Sequence, residues 1–240
     1  MPFYDQSAAD VRCEWGLQGV AHLAPISDVV VIVDVLSFCT SVEIAVSRGA
    51  VVYPYRGDAA AEYAASLGAE LAGFRASGST YSLSPQSLVS IPAGTRLVLP
   101  SPNGSTLSLH GGRAATLAGC LRNARAVARA AEKLGRHIAV IPAGERWRTD
   151  GSLRPAFEDL VGAGAVISNL SSERSPEASA AVAAFESVQS DLEQALRACS
   201  SGKELIARDH AQDVTLAAAL DAGASAPLLH EGAYVEAGMN

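Results

Sequence analysis

Four short stretches carry side chains that chemistry could use, and each follows an apolar run that reads as a strand. The first holds Asp34 with Ser37, Cys39, Thr40 and Ser41. The second is P-S-P-N-G-S-T at residues 100–106, with Ser101, Asn103, Gly104, Ser105 and Thr106. The third is Asn123, at the start of a helical run. The fourth holds Gly144, Glu145, Arg146 and Arg148, with Glu158 and Asp159 a short loop further on. Small hydroxyl residues and glycine at helix starts bind anions, because unpaired backbone N–H groups and the helix dipole face the ligand. Carboxylates drawn from several loops suit a hard cation such as Mg2+. A cation beside anion-binding loops suits a phosphate ester, since a metal polarises phosphoryl oxygens and orients or activates water.

Each piece also has a plainer reading. Asp34 can cap the helix that follows it, and P-N-G-S can be an ordinary turn. Glu145 and Arg146 can form a surface pair, and Glu158 and Asp159 can complement a helix dipole. Cys39 is read as a small buried residue rather than a nucleophile, because no arginine follows it within the reach of a C-x5-R phosphate loop. His22, His110, His137, His210 and His230 sit in no metal-ligand spacing, and Glu14 and Trp15 are read as structural.

The elements that must position these residues follow from apolar pattern and punctuation. Val29–Val33 is an unbroken β-branched and apolar run, suited to a strand buried on both faces. A helix over 42–48 closing at Gly49 and a strand over 50–55 complete what reads as a βαβ unit. Asp58 is placed to cap a helix over 59–67, and E-L-A-G-F-R, residues 70–75, reads as a short strand ahead of a Ser/Gly/Pro-rich loop over 76–90. Strands are expected over 95–99, 114–118 and 137–141, a short helix over 106–109, and helices over 124–134 and 157–170. The glycines of G-A-G-A in the last of these weaken an isolated helix, so close packing on a neighbour is expected. Ser175 followed by Pro176 opens a long helix whose stripe is Phe185, Val188, Leu192 and Leu196, ending near Ser200. A final helix is expected over 211–222. Alternation of strands and helices predicts an α/β layered fold, and no linker divides residues 1–240 into separate domains.

The totals agree. Nearly half of the 240 residues are apolar and only 18% are charged, which excludes general disorder. A net charge of -7 without any run of Lys or Arg argues against a nucleic-acid surface. No apolar stretch approaches the ~20 residues that span a bilayer. The opening residues lack the apolar segment of a secretory signal. Four scattered cysteines suggest neither a disulfide framework nor a zinc site, and a soluble protein of a reducing cytoplasm is the simplest expectation.

Together the motifs resemble the ComB family, the 2-phosphosulfolactate phosphatases. The matching pieces are E-W-G-L-Q-G at Glu14, V-I-V-D-V-L-S-F-C-T-S at Val31, P-S-P-N-G-S-T at Pro100, G-C-L-R-N-A-R-A-V-A at Gly119, I-P-A-G-E-R-W at Ile141 and E-D-L-V-G-A-G-A at Glu158. S-G-K-E-L and D-V-T-L-A-A-A-L-D continue the series to about residue 221. The resemblance implies a three-layer α/β/α fold on a mixed, largely parallel sheet. It also implies Mg2+-dependent hydrolysis of 2-phosphosulfolactate to sulfolactate and phosphate, as in coenzyme M biosynthesis. One departure stands out: the family's first motif resembles D-V-L-R-A-T-T, whereas Ser37 stands here at the arginine's place. An arginine there could pair bidentately with an anion. Its loss predicts weaker use of 2-phosphosulfolactate itself, unless Arg56, Arg146 or Arg148 supplies the charge.

On this reading Asp34, Glu158 and Asp159 hold Mg2+, with Glu145 beside them, and Asp34 is also the candidate nucleophile if a phospho-enzyme forms. Arg146 stabilises charge on the transferring group. Ser37, Thr40, Ser41, Asn103, Gly104, Ser105 and Asn123 bind the substrate's anionic oxygens. The partner is a small anionic phosphoester, with no nucleic acid and no membrane, and a homo-oligomer stays open. The rival is a non-catalytic protein that holds an anionic metabolite; Ser37 motivates it, and the carboxylate set argues against it.

Overall fold

The computed structural model describes residues 3–73 and 79–238. β1 (Val11–Cys13) leads through α1 (Gly16–Leu23) to β2 (Val29–Val33), then α2 (Phe38–Ser47), β3 (Val51–Tyr55), α3 (Ala60–Leu67) and β4 (Glu70–Leu71). β5 (Arg96–Pro100), α4 (Gly104–Ser108), β6 (Ala115–Gly119), α5 (Ala124–Leu134) and β7 (Ile138–Pro142) continue the alternation. A two-stranded ribbon of β8 (Glu145–Arg146) and β9 (Leu153–Arg154) precedes α6 (Phe157–Ser168), α7 (Pro176–Glu186), α8 (Leu192–Ala198), α9 (Ser200–Ile206) and α10 (Ala211–Ala218). The chain finishes in β10 (Pro227–His230) and β11 (Ala233–Glu236).

Among the described residues nine strands form one sheet in the order β1-β7-β2-β6-β10-β11-β3-β5-β4. The pairs β1/β7, β7/β2, β2/β6, β3/β5 and β5/β4 are parallel. The hairpin β10–β11 joins the two parallel blocks through antiparallel pairs on both sides. Three successive antiparallel junctions reverse the sense, so β3, β5 and β4 run opposite to β1, β7, β2 and β6. The segment from β2 through α2 to β3 is therefore not the parallel βαβ crossover that its pattern predicts. The inserted hairpin separates the two strands and inverts the second.

β2 explains the layering. Val29, Val31 and Val33 pack in one core with Val127 of α5, Val166 of α6 and Phe185 of α7. Val30 and Ile32 point the other way, into a second core with Phe38 and Val42 of α2, Leu97 of β5 and Tyr234 of β11. A strand with side chains alternating between two dry faces needs helices on both, and the result is a three-layer α/β/α fold. The glycines of α6 have the expected cause: a Cβ on Gly164 would lie 2.0 Å from the Ala181 carbonyl oxygen, so only glycine lets α6 and α7 meet this closely.

Several elements differ from expectation for local reasons. The long helix after Ser175 is two: the chain turns over 187–191, and Asp191 restarts it by accepting from Gln194 N at 3.4 Å. D-x-x-Q is a capping pattern, and here it overrides the apolar stripe. A separate α9 follows, with the Cys199 sulfur accepting from Gly202 N. α2 opens at Phe38 rather than 42. α3 opens at Ala60 without a side-chain cap from Asp58. α1, the ribbon β8–β9 and the hairpin β10–β11 are additional to the expected elements, and α10 ends at Ala218. Of the strand expected over 70–75 and the loop over 76–90, residues 74–78 lie outside the described residues.

Candidate active site

The loops after β2, β5 and β7 meet, although β5 belongs to the oppositely directed block. Asp34 makes the junction. Its Oδ1 accepts from Phe38 N at 3.1 Å, which opens α2, and its Oδ2 accepts from Gly104 N at 2.9 Å, which opens α4. The approach requires glycine at 104, because a Cβ there would lie 2.2 Å from Phe38 Cδ1. The next residue, Asn103, donates from Nδ2 to Glu145 Oε2 at 3.0 Å. Asp159 ties the remaining pair of loops: Oδ1 accepts from Val35 N and Oδ2 from Gly144 N, both at 2.8 Å.

Above this junction lies a cleft of about 860 Å3. Asp34, Ser37, Ser101, Asn103 and Glu145 line its floor. The ribbon contributes Arg146, Trp147, Arg148 and Arg154, and α9 contributes Ser200, Ser201 and Glu204, with Arg208 just beyond. Acidic groups thus sit after β2 and at the start of the ribbon, and four arginines line the same cleft. The Glu204 carboxylate holds two of these, Arg148 at 2.8 Å and Arg208 at 2.7 Å. Arg56 does not line the cleft.

The ribbon's register separates neighbours. Glu145 pairs with Arg154 and Arg146 with Leu153. Paired residues of an antiparallel ribbon share a face, and successive residues do not. Glu145 and Arg154 therefore look one way. Arg146, exposed and donating to the Gly151 carbonyl at 3.2 Å, belongs to the other face. Arg154 was not among the residues that sequence reasoning selected. Its signal was Asp150–Gly151, a D-G turn marker that makes 145–154 a hairpin.

Charge is crowded at the floor. Burial, then the negative charges of Asp34 and Glu158, push the Glu145 carboxyl up to about 7, while Asn103 and Arg154 pull the other way. Burial, then the same two carboxylates, push Asp159 well above the usual range. Burial also raises the Cys39 thiol strongly, with Asp34 adding to it. Cys39 Sγ donates to the Ile32 carbonyl and accepts from Asp34 N, inside the second core. That is the environment of a packing residue, not of a thiolate nucleophile.

Other expected site residues face inward. Thr40 Oγ1 donates to the Val35 carbonyl at 2.8 Å, Ser41 Oγ to Leu83 at 3.0 Å and Ser105 Oγ to Leu99 at 2.9 Å. Asn123 accepts from Cys120 N and donates to the Ala118 and Ser225 carbonyls. It makes no side-chain cap on α5. These four are buried, do not line the cleft, and hold its loops in place. Side-chain to backbone bonds satisfy them, so they offer no donor to a substrate.

The expected metal set is also redistributed. Glu158 and Asp159 are buried and absent from the cleft lining, with Cys199 Sγ 3.4 Å from Glu158 Oε2. Among the described residues, no group of three or more His, Cys, Asp or Glu side chains is arranged to hold a metal ion. The donor chemistry left in the cleft still fits Mg2+, which uses one or two carboxylates and fills its shell with water and substrate phosphate. Asp34 is the carboxylate that could take that role, with Glu145 beside it, and a cation would relieve their mutual repulsion.

Two comparisons bear on identity. The sequence pattern of the family described as 2-phosphosulpholactate phosphatase matches residues 19–232. No curated protein matches the chain. In addition, no helix among the described residues is long and apolar enough to cross a membrane.

Proposed function

The chain belongs to the 2-phosphosulpholactate phosphatase family, a family of phosphoric monoester hydrolases, and from that premise we propose that it hydrolyses 2-phosphosulfolactate, or a close analogue, with Mg2+ in the cleft above Asp34. The observation that carries this reading is the meeting of Asp34, Asn103 and Glu145 from three separate loops, in a cleft that four arginines also line. Asp34 would hold the metal, with Glu145 adjacent, and the bound ion would polarise the phosphoryl oxygens and orient the attacking water.

The chain's own groups do the rest. Two backbone amides fix both Asp34 oxygens, which suits a rigid ligand better than a nucleophile that must swing to phosphorus. Water then attacks directly: its oxygen bonds to phosphorus as the bond to the substrate's 2-oxygen breaks. The departing alkoxide needs a proton, and we assign it to Glu145, whose carboxyl burial first of all raises to about 7 in the metal-free fold. Asn103 orients that carboxyl. The proton lost by water restores Glu145 for the next turnover.

The test is phosphate release from 2-phosphosulfolactate by protein stripped with EDTA, before and after Mg2+ is restored. Release that depends on Mg2+ supports the reading. Full release by stripped protein removes the metal from it. Binding of sulfolactate without release under either condition favours a non-catalytic binding protein.

A further inference from the structure

Arg154 differs from the other arginines of the cleft. Arg148 and Arg208 share the Glu204 carboxylate, and Arg146 lies exposed on the other face of the ribbon. Arg154 is half-buried and makes no ion pair among the described residues. One of its five N–H donors meets the Ser201 hydroxyl, at a long 3.4 Å. Its guanidinium carbon lies 5.9 Å from the centre of the Trp147 ring, which braces the group without satisfying its donors. A half-buried guanidinium with donors to spare costs free energy unless an anion meets it.

Its position says which anion. Register places Arg154 directly across from Glu145, on the same face. From there the side chain reaches Ser201 of α9 rather than the Asp34–Gly104 junction, at which the phosphatase reading puts the phosphate. On the near side the lining residues Leu36, Ser37, Leu83, Ser101 and Pro102 carry no cation. Among the described residues that line the cleft, Arg154 is therefore the half-buried cation without an ion pair that a substrate with its phosphate at the junction would meet, Arg146 being exposed.

We propose that Arg154 is the specificity-determining residue of this cleft: it binds the non-reacting acid group, sulfonate or carboxylate, of a phosphoester that carries a second anion beside its phosphate. The inference rests on the phosphatase reading above. It assigns to β9 the charge that the loop after β2 lacks, since Ser37 is neutral. The planar fork of Arg154 can make two parallel bonds to such a group.

The experiment compares R154Q and R154K with the unaltered protein on two substrates, 2-phosphosulfolactate and p-nitrophenyl phosphate, which has no second acid. Loss of charge-assisted hydrogen bonds predicts that R154Q loses roughly tenfold to hundredfold in kcat/KM on 2-phosphosulfolactate, mostly through KM. On p-nitrophenyl phosphate the change stays within about threefold, because uniform binding of the missing acid is not in play. R154K falls between. Equal losses on both substrates overturn the proposal and place Arg154 on the phosphoryl group or in the fold. Calorimetric titration of sulfolactate into the same proteins separates this from the phosphatase reading. If the unaltered protein hydrolyses neither substrate, that reading fails. Binding of sulfolactate weakened roughly tenfold or more in R154Q then still supports Arg154. Equal affinity in both proteins overturns it.

Discussion

Glu145→Gln should make the protein more stable while it disables it. The native fold moves the Glu145 carboxyl from 4.5 to about 7, first by burial and then by the charges of Asp34 and Glu158. A shift of that size disfavours the charged form by about 3 kcal/mol once the group ionises. The sign follows from proton counting. Between pH 4.5 and about 7 the folded protein retains a proton that the unfolded chain has released. Stability therefore falls as pH rises through that window and levels off above it. Glutamine keeps the shape and can still accept from Asn103 Nδ2, but it never ionises. In EDTA, E145Q should match the unaltered protein near the lower end of the window. Above the upper end it should exceed it by about 1–3 kcal/mol, the lower figure allowing for solvent screening of this half-buried group. Urea unfolding of both proteins across the window, read as the difference in stability, gives the answer without interference from other titrating groups. Adding Mg2+ should then stabilise the unaltered protein more than E145Q, by mass action on the folded state. An E145Q no more stable than its parent at the alkaline end would refute the charge crowding on which Glu145's proton-carrying role depends.

Two further changes address the junction beneath the cleft. Asp34→Asn should lower kcat/KM for 2-phosphosulfolactate by at least about 100-fold if the carboxylate holds the metal; a phosphate-release assay showing a loss below about threefold would reduce Asp34 to a helix cap. Gly104→Ala places a methyl 2.2 Å from Phe38 Cδ1 and must shift α4 away from Asp34. Thermal unfolding should show a cost of about 1–3 kcal/mol, and activity should drop by more than about tenfold as the Gly104 amide leaves the carboxylate; unchanged activity would mean that this amide does not matter.

What could be read in advance depended on whether a signal was local. Val29–Val33 announced a strand buried on both sides because every residue in it is apolar, and both cores confirm that. The meeting of Asp34, Asn103 and Glu145 was legible as a set of loops after strands. The sense of β3 and β5 was not, since it depends on β10–β11 entering the sheet from the far end of the sequence. That hairpin had a local marker of its own in Gly232, and in the structure Glu231 and Gly232 both take the positive φ of a tight two-residue turn. Composition misled at Thr40, Ser41, Ser105 and Asn123. A residue type tells what a side chain can donate, while direction decides whether a substrate or a carbonyl receives it. All four spend their bonds on backbone carbonyls or amides inside the fold.

The same distinction governs the arginines. Arg146 follows Glu145 in the chain, and that adjacency suggested that the two act together. In a strand, adjacency sends side chains to opposite faces, so Arg146, although it also lines the cleft, is exposed and does not share Glu145's face of the ribbon. Nine residues later the ribbon returns, and Arg154 comes to stand across from Glu145 on the shared face. On the proposed reading the hairpin carries both the acid that protonates the leaving oxygen and a cation suited to the substrate's other end. Because both stand on one short ribbon, their separation is set by cross-strand geometry rather than by loop conformation. A neutral Ser37 is then compatible with a doubly anionic substrate: the charge missing from the loop after β2 is supplied from β9, at a distance from phosphorus where it selects the substrate instead of competing with the metal for its phosphate.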